Sequence, residues 1–199
     1  MWLYRLREAI SAAEEARAQL AAQQSASSQS SLVAAIMKAT KKGGPLAGAG
    51  VIGRLGDLAT IAPEYDIAVS TACGSLENIV CETLQGCELC VKFLRDTNAG
   101  RASFIALSEM GQWRDKMASR RPAPTGVSRL IDLISPKDDR YLPAFYMAMR
   151  DTLVATNLDA ATRIAYEGNR AVWRVVTKDG TSASYRVTRP QIILNFVSL

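Results

Sequence analysis

Histidine is absent from the 199-residue chain, and this absence excludes more classes of function than any other feature of the composition. Without an imidazole, the chain cannot form a Ser-His-Asp or Cys-His catalytic unit, or a zinc or haem site with histidine ligands. The phosphate-binding pattern G-x-x-x-x-G-K-[ST] of ATPases is also missing. The carboxylates are scattered, and no pair has a spacing that suggests acid–base catalysis. We therefore expect a protein that is not an enzyme, needs no cofactor and takes no small-molecule substrate.

Long apolar runs are missing too. The longest ones fall well short of the about 20 residues that span a bilayer, so we expect no membrane partner. The N-terminal sequence MWLYRLREAI has arginines and a glutamate where a secretory signal has a continuous apolar core, which argues against export. Four cysteines without such a signal predict reduced thiols in an intracellular protein.

Acidic residues are fewer than basic ones: 19 Asp and Glu against 24 Lys and Arg give a formal charge of +5 and a pI near 9.2. No acidic residue occurs between positions 16 and 56, and residues 109–128 are also rich in basic side chains. Such segments contact phosphates, and a tryptophan among them can stack on an unpaired base. If both segments face the same side of the fold, they form one electrostatic footprint. The candidate DNA contacts are Lys38, Lys41, Lys42, Arg114, Lys116, Arg120, Arg121 and Trp113. The sequence leaves open the alternative of a solvated loop around a buried tryptophan.

The rest of the composition, with 48% hydrophobic and 22% charged residues, is typical of a globular protein. Apolar residues recur at helical spacing in 63–73, 84–98, 142–149 and 158–166, and short β-rich runs occupy 78–81, 102–107 and 152–156. Residues 109–128 are expected to form a loop. The sequence Lys178-Asp179-Gly180 between two β-rich runs predicts a hairpin. Short helices and strands in alternation predict an α/β or α+β fold.

The first 22 residues contain apolar side chains at alternating spacings of three and four, which predicts a short coiled-coil helix: Leu3, Leu6, Ile10, Ala13 and Leu20. Fewer than three heptads are too short to be stable without a partner helix, so this segment resembles the stub of a longer coiled coil. A lone amphipathic helix packed on its own domain is the alternative. Residues 23–44 then form a polar linker and a short helix.

Two short motifs have well-known functional meanings. Gly48, Gly50 and Gly53 spell the dinucleotide-binding pattern G-x-G-x-x-G, but no strand precedes them, so we expect a flexible loop. Cys87 and Cys90 form a C-x-x-C motif within a helical stretch. No second pair follows and Cys73 and Cys81 are isolated in sequence, so we expect no metal site and predict buried thiols. The alternative is a small α/β thiol oxidoreductase that uses Cys87 and Cys90.

Several segments carry a family resemblance. These are Gly53-Arg54-Leu55-Gly56-Asp57-Leu58, the run Tyr65 to Gly74 (YDIAVSTACG), Phe93-Leu94-Arg95, the run Leu142 to Ala155, Ala161 to Tyr166 and Trp173 to Thr177. Together they resemble the hinge of SMC (structural maintenance of chromosomes) proteins, and within that family the condensin branch. The resemblance covers about residues 45–180.

This resemblance implies an α+β hinge over residues 45–180, with two subdomains of mixed sheet and helices, preceded by a short coiled-coil helix. It also implies pairing with the hinge of the second condensin SMC subunit, weak and non-specific contact with DNA, and a location in the nucleus on chromosomes, with a cytoplasmic pool. In this family ATP is bound by a distant head domain, so the chain is expected to be a fragment or a truncated gene product. A stand-alone protein that binds single-stranded nucleic acid is a further alternative.

The C-terminal segment departs from the family. SMC hinges usually close with a pattern G-x6-G-x3-G-G, in which side-chain-free backbone lets two subunits approach closely. Gly180 matches the first position and is the candidate interface residue, but the later positions fall on Val187, Gln191 and Ile192. No heptad follows. We therefore expect residues 181–199 to be a divergent or truncated tail.

Overall fold

The computed structural model describes Arg17 and residues 31–120, 122–167, 170–171 and 173–183. The predicted coiled-coil stub and the part of the predicted tail beyond residue 183 lie outside the described residues, apart from Arg17. Among the described residues, no helix is long and apolar enough to cross a membrane.

Short helices alternate with short strands along the described chain. The helices are α1 (residues 31–39), α2 (Asp66–Ala72), α3 (Leu84–Asp96), α4 (Gly111–Ala118), α5 (Leu142–Met149) and α6 (Leu158–Ala165). The strands are β1 (Val51–Arg54), β2 (Ala59–Ile61), β3 (Ile79–Cys81), β4 (Phe104–Ala106), β5 (Ile134–Pro136), β6 (Leu153–Ala155), β7 (Tyr166–Glu167), β8 (Arg170–Ala171), β9 (Val175–Thr177) and β10 (Ser182–Ala183). The predicted α+β class is confirmed.

The first sheet has the order β1-β3-β4, with β1 antiparallel and β4 parallel to the central strand. Every residue of β3 is buried, which is why its sequence is apolar on both faces. Cys81 and its parallel partner Ala106 pack against α1 and α3, whereas Val80 and Ile105 face a second cluster formed with α2, α4 and α5. The sheet therefore separates two apolar layers.

Helix α3 begins at Leu84, as predicted, and ends two residues before the predicted end. The Thr83 side chain accepts a hydrogen bond from the Gly86 amide at 3.2 Å and caps the first turn. The helix ends at Asp96, and the chain then turns through Gly100 with φ +115°. A Cβ on Gly100 would lie 3.1 Å from Leu32 of α1, and one on Gly86 would clash with the Ala49 carbonyl. The start of α1 therefore lies near the end of α3, and the segment that follows α1 lies near the start of α3.

The second sheet has the order β10-β9-β6, with β6 and β9 parallel and β9 and β10 antiparallel. Helix α6 packs on one face, and its first turn is capped by the Asn157 side chain, which accepts from the Ala160 amide at 2.9 Å. The other face places Val176 in the cluster of α2, α4 and α5. This central cluster lies between the two sheets. The antiparallel pair β2 and β5 also joins the half of the chain that contains the first sheet to the half that contains the second.

Residues 109–128 were expected to be a loop, and this expectation was wrong in part. Helix α4 occupies Gly111–Ala118, and Met110 and Trp113 are buried in the central cluster against α5. Its sequence, GQWRDKMA, has no regular apolar stripe, so tertiary packing rather than periodicity determines this helix.

The glycine-rich segment before β1 lacks the geometry of a dinucleotide site, as predicted. Gly48 and Gly50 precede the strand, Gly53 lies within it, and a short 3-10 helix follows. A dinucleotide site needs the reverse order, with a strand leading into the glycines and a helix after them. The segment is nevertheless packed, because Leu46 and Ala49 are buried beneath α1 and α3.

Candidate functional site

The turn between β9 and β10 explains the glycine at position 180. The Gly180 amide donates to the Thr177 carbonyl at 3.0 Å, and the Thr177 amide donates to the Thr181 carbonyl at 2.8 Å. Gly180 has φ +87°, so the turn is a three-residue hairpin loop that ends in a glycine bulge. The predicted hairpin is confirmed.

Gly180 also lies against α2. A Cβ there would come within 2.8 Å of Ile67 Cγ2 and 2.9 Å of Thr71 Oγ1. The turn and the packing within this chain therefore both require a glycine, and no contact with a second subunit is needed to explain it. Its role in an interface stays a prediction.

Polar side chains hold the turn in place. Lys178 Nζ lies 2.6 Å from Glu64 Oε2 and 4.8 Å from the centroid of the Tyr65 ring. The hydrogen bond from Lys178 lowers the pKa of the Glu64 carboxyl, and the same bond raises the pKa of Lys178. The hydroxyl of Thr177 donates to the Asp179 carboxylate and lowers its pKa. These contacts fix the hairpin against the start of α2.

The outer edge of β10 is open among the described residues. Because Thr177 and Thr181 are joined by a hydrogen bond, the next pair, Val176 and Ser182, is a non-hydrogen-bonded pair. The amide and carbonyl of Ser182 therefore point away from β9. The opposite edge of the sheet is already covered, since the amide of Val154 in β6 donates to the Ser128 carbonyl at 3.0 Å.

An exposed apolar side chain lies beside this open edge. Ile67 of α2 is 57% exposed, although it contacts the position of Gly180. We call residues 178–183 together with Ile67 the hairpin surface. An unpaired strand edge next to an apolar side chain is the arrangement that takes an added strand from another chain.

The predicted DNA contacts fall into two groups on different layers. Lys38 lies near the end of α1 and Lys41 and Lys42 follow it, so this group lies on the outer layer of the first sheet. Arg114 and Lys116 lie on α4, which packs on the central cluster across that sheet. The helices that carry the two groups pack on different apolar clusters, and the combined footprint stays a prediction.

The members of the two groups differ in their pairing. Lys38, Lys41 and Lys42 are exposed and form no ion pair with the described residues, and the same is true of Arg114. Arg120 is paired with Asp132 at 2.9 Å. Arg121 lies outside the described residues.

Trp113 is buried in this structure, which favours the alternative of a buried tryptophan over that of a base-stacking side chain. The side chain is 4% exposed. Lys116 Nζ and Arg150 Cζ each lie 4.5 Å from the centroid of its ring. Because the side chain is buried, little of its ring is accessible to a nucleotide.

The cysteines are buried, as predicted, but Cys81 is not isolated. It packs with Cys87 and Cys90 in one cluster beneath α1 and α3. Hydrogen bonds to Cys87 and then to Cys90 raise the pKa of Cys81, which therefore keeps its proton. No group of side chains in the described part of the chain has the arrangement of a metal site. Without access to solvent, Cys87 and Cys90 lack what a dithiol enzyme requires.

A half-buried polar link lies near the end of α5, and the sequence did not predict it. Arg129 Nε donates to Asp151 Oδ1 at 3.1 Å, and the Tyr146 hydroxyl donates to Asp151 Oδ2 at 3.0 Å. Burial, followed by the bond to Asp151, raises the pKa of Tyr146. The link ties the segment beside β6 to α5. No local pattern predicts it, because Arg129 and Asp151 are 22 residues apart in the sequence.

Comparison with known families gives a match over residues 48–165 to the SMC proteins flexible hinge domain. The chain is 44% identical over 167 residues to human structural maintenance of chromosomes protein 4, covering 84% of this chain and 12% of the relative. The Schizosaccharomyces pombe protein of the same name is 50% identical over 131 residues, which is 66% of this chain and 10% of that protein. The chain thus spans about a tenth of the length of these relatives.

Two solved structures share the fold. One is an asymmetric dimer of the Geobacillus stearothermophilus SMC hinge domain, with a TM-score of 0.59, 23% identity, and coverage of 84% of this chain and 71% of that one. The other is the folded elbow of cohesin, with a TM-score of 0.58, 22% identity, and coverage of 74% and 20%.

Proposed function

Because its residues 48–165 match the hinge model, the chain belongs to the SMC hinge family, and we propose that it pairs with the hinge of a second condensin SMC subunit. Its sequence is similar to the SMC protein 4 of several eukaryotes, which supports the condensin assignment. The Geobacillus hinge forms a dimer, which supports pairing as the function.

The observation that carries this proposal is the open edge of β10 in the hairpin surface. Ser182 directs its amide and carbonyl outward, so a strand of a partner can extend the sheet through main-chain hydrogen bonds. Ile67 adds apolar area to the same contact. Gly180 allows the turn to lie close to α2.

The test mixes this chain with the hinge of the second condensin SMC subunit and measures the mass by size-exclusion chromatography with light scattering. We expect a one-to-one complex for the wild type. Ser182→Pro removes an outward amide without breaking the pairing with β9, so it should abolish the complex and leave the fold intact. Ser182→Ala keeps the amide and serves as the matched control. Separate monomers for the wild type would refute the pairing.

We also propose weak, non-specific DNA contact through Lys38, Lys41 and Lys42. Their support is that they are exposed, close together, and within a stretch of chain that has no acidic residue. Replacing all three by alanine should lower the salt dependence of binding by up to about three units, because each neutralised phosphate contributes about 0.7 to 0.9. Fluorescence anisotropy in a salt series measures this slope. An unchanged slope would assign the lysines to a structural role at the end of α1.

ATP hydrolysis belongs, in this proposal, to a distant part of the complete protein, and this chain alone should show none. The location that the proposal implies is the nucleus, on chromosomes, with a cytoplasmic pool. Purified protein assayed for phosphate release with and without DNA tests the first point.

A further inference from the structure

The second sheet has two outer edges, and they differ in how their main-chain groups are used. At β10 the edge is open among the described residues. At β6 the Thr152 carbonyl, just before the strand, accepts a hydrogen bond from the Leu130 amide at 2.9 Å. The Val154 amide within β6 donates to the Ser128 carbonyl at 3.0 Å. We call residues 122–130, which supply both partners, the edge strap.

The edge strap is not a regular further strand of this sheet. Its contact with β6 is a single antiparallel bridge between Arg129 and Leu153. The Arg129 carbonyl points away from β6 and accepts from the Asp132 amide at 3.1 Å. The Val127 amide also points away, and it donates to the Pro124 carbonyl at 3.2 Å. Because local turns use these groups, the strap ends the sheet at β6 rather than extending it.

Side chains along the edge strap hold it against the sheet. The Arg129 side chain is 7% exposed, and its Nε donates to Asp151 Oδ1 at 3.1 Å. Leu130 is fully buried in the central cluster. Val127, which is partly buried, packs against the cluster beneath α6. The strap is therefore a packed part of the fold, and one polar and two apolar side chains keep it over the edge of β6.

Covering one edge determines which assemblies the second sheet can form. A sheet with two open edges accepts a strand at each of them. If β6 of one copy paired with β10 of the next, the contact would be head to tail and would continue from copy to copy. A sheet with one open edge accepts one strand, and its assembly stops there. Proteins protect edges with prolines, turns and very short strand pairings, and the edge strap has all three.

We propose that the edge strap determines the specificity of pairing: it blocks strand addition at β6 and confines pairing of the second sheet to β10. It thereby keeps copies of this chain from joining head to tail. The occupant that it excludes is the β10 edge of a second copy, because every copy in solution carries that open edge. This inference rests on the proposed function, in which β10 takes the strand of a partner.

Gly126→Pro is the variant that loosens the strap. Gly126 has φ +78°, which proline cannot adopt, so the turn that holds the Val127 amide breaks. The residue is exposed, and a Cβ there would meet no atom within 4 Å, so the damage should stay within the strap. Gly126→Asn is the matched control, because asparagine tolerates a positive φ.

The test measures amide exchange by NMR and mass by sedimentation velocity, on the full chain without a partner. In dilute Gly126→Pro, the Val154 amide should exchange at least about tenfold faster than in the wild type. The Leu153 amide, which donates to Arg174 on the inner side of β6 at 2.9 Å, should stay protected and so report an intact sheet. In concentrated samples larger species should form, and exchange at Val154 should slow again. Adding Ser182→Pro should prevent these larger species, and Gly126→Asn should behave as the wild type.

Val127→Asp opens the strap by a second route if Gly126→Pro loses protection at Leu153. It replaces an apolar contact with the cluster beneath α6 by a charge and leaves the Arg129 pair in place. Thr125→Asp adds the same charge at an exposed position of the same turn and is its matched control. We expect the same changes in exchange and mass in Val127→Asp, and none in Thr125→Asp.

Three results would each overturn the proposal. The first is a loosened chain that stays monomeric over about a hundredfold range of concentration although Val154 exchanges rapidly. The second is association that leaves Val154 unprotected, because another surface would then be responsible. The third is exchange at Val154 that does not change in either variant, because the strap would then not control this edge. These measurements need no partner hinge, so failure of the wild type to bind that hinge remains a separate result that refutes pairing at β10 alone.

Discussion

The two sheets share the central cluster, but they differ in how well their other sides are covered. In the described residues, the first sheet packs its outer face on α1 and α3 in a cluster of eleven buried side chains, whereas the second packs on α6, with Ala123 and Val127 beside it, in a cluster of five. Sheets covered on both faces are stable by themselves, while sparsely covered ones gain from a further chain. We therefore expect the first half to support the fold, and we place the proposed partner surface on the second.

The largest expected effect on stability comes from a substitution in the central cluster, to which both sheets contribute. Phe145 of α5 is fully buried in the central cluster, which receives side chains from both sheets. Phe145→Ala should lower the free energy of unfolding by about 3 to 5 kcal/mol. Urea denaturation followed by fluorescence and by circular dichroism measures it. Two separate transitions in the wild type would show that the sheets are independent.

Gly180→Ala tests the second sheet, because it changes the turn between β9 and β10. The added methyl group meets Ile67 and Thr71, and the positive φ is unfavourable for alanine, so the cost should be about 1 to 3 kcal/mol. The damage should be confined to the hairpin. Amide exchange should accelerate in β9 and β10 and stay unchanged in β3. Faster exchange throughout would mean that the second sheet supports the first.

Replacing both Cys87 and Cys90 by serine tests the covered side of the first sheet. Polar hydroxyls in this apolar cluster should cost about 1 to 3 kcal/mol, and pairing with a partner hinge should be unaffected. Chemical denaturation and light scattering measure the two effects. Zinc bound in equal amount to the wild type, and lost in the variant, would contradict a purely structural role.

The smallest effect concerns pH at the hairpin. Lys178 lowers the pKa of Glu64 in the folded chain, so this carboxylate stabilises the fold above its unfolded pKa. That contribution is lost as the pH falls through the folded value. Glu64→Gln should therefore flatten the stability profile slightly on the acid side, and thermal unfolding across that range measures it. Because the pair is exposed, the change should be small.

Much of this fold could be predicted where one short segment determines its own structure. The capped helix at 84–96, the buried strand at 79–81 and the Asp179-Gly180 hairpin all carry local signals. Helix α4 could not be predicted, since only the burial of Trp113 against α5 stabilises it. The contacts of Trp113 with Lys116 and Arg150 could not be predicted for a related reason, because only tertiary packing brings Arg150 over the ring.

The most direct test of pairing through the second sheet is the exchange rate of the Ser182 amide in the complex. This amide points away from β9, so it should exchange rapidly in the isolated chain. When the partner hinge is added, we predict that its exchange slows at least about tenfold, as expected for a new main-chain hydrogen bond. A stable complex in which the Ser182 amide still exchanges at the rate of the free chain would contradict pairing at β10.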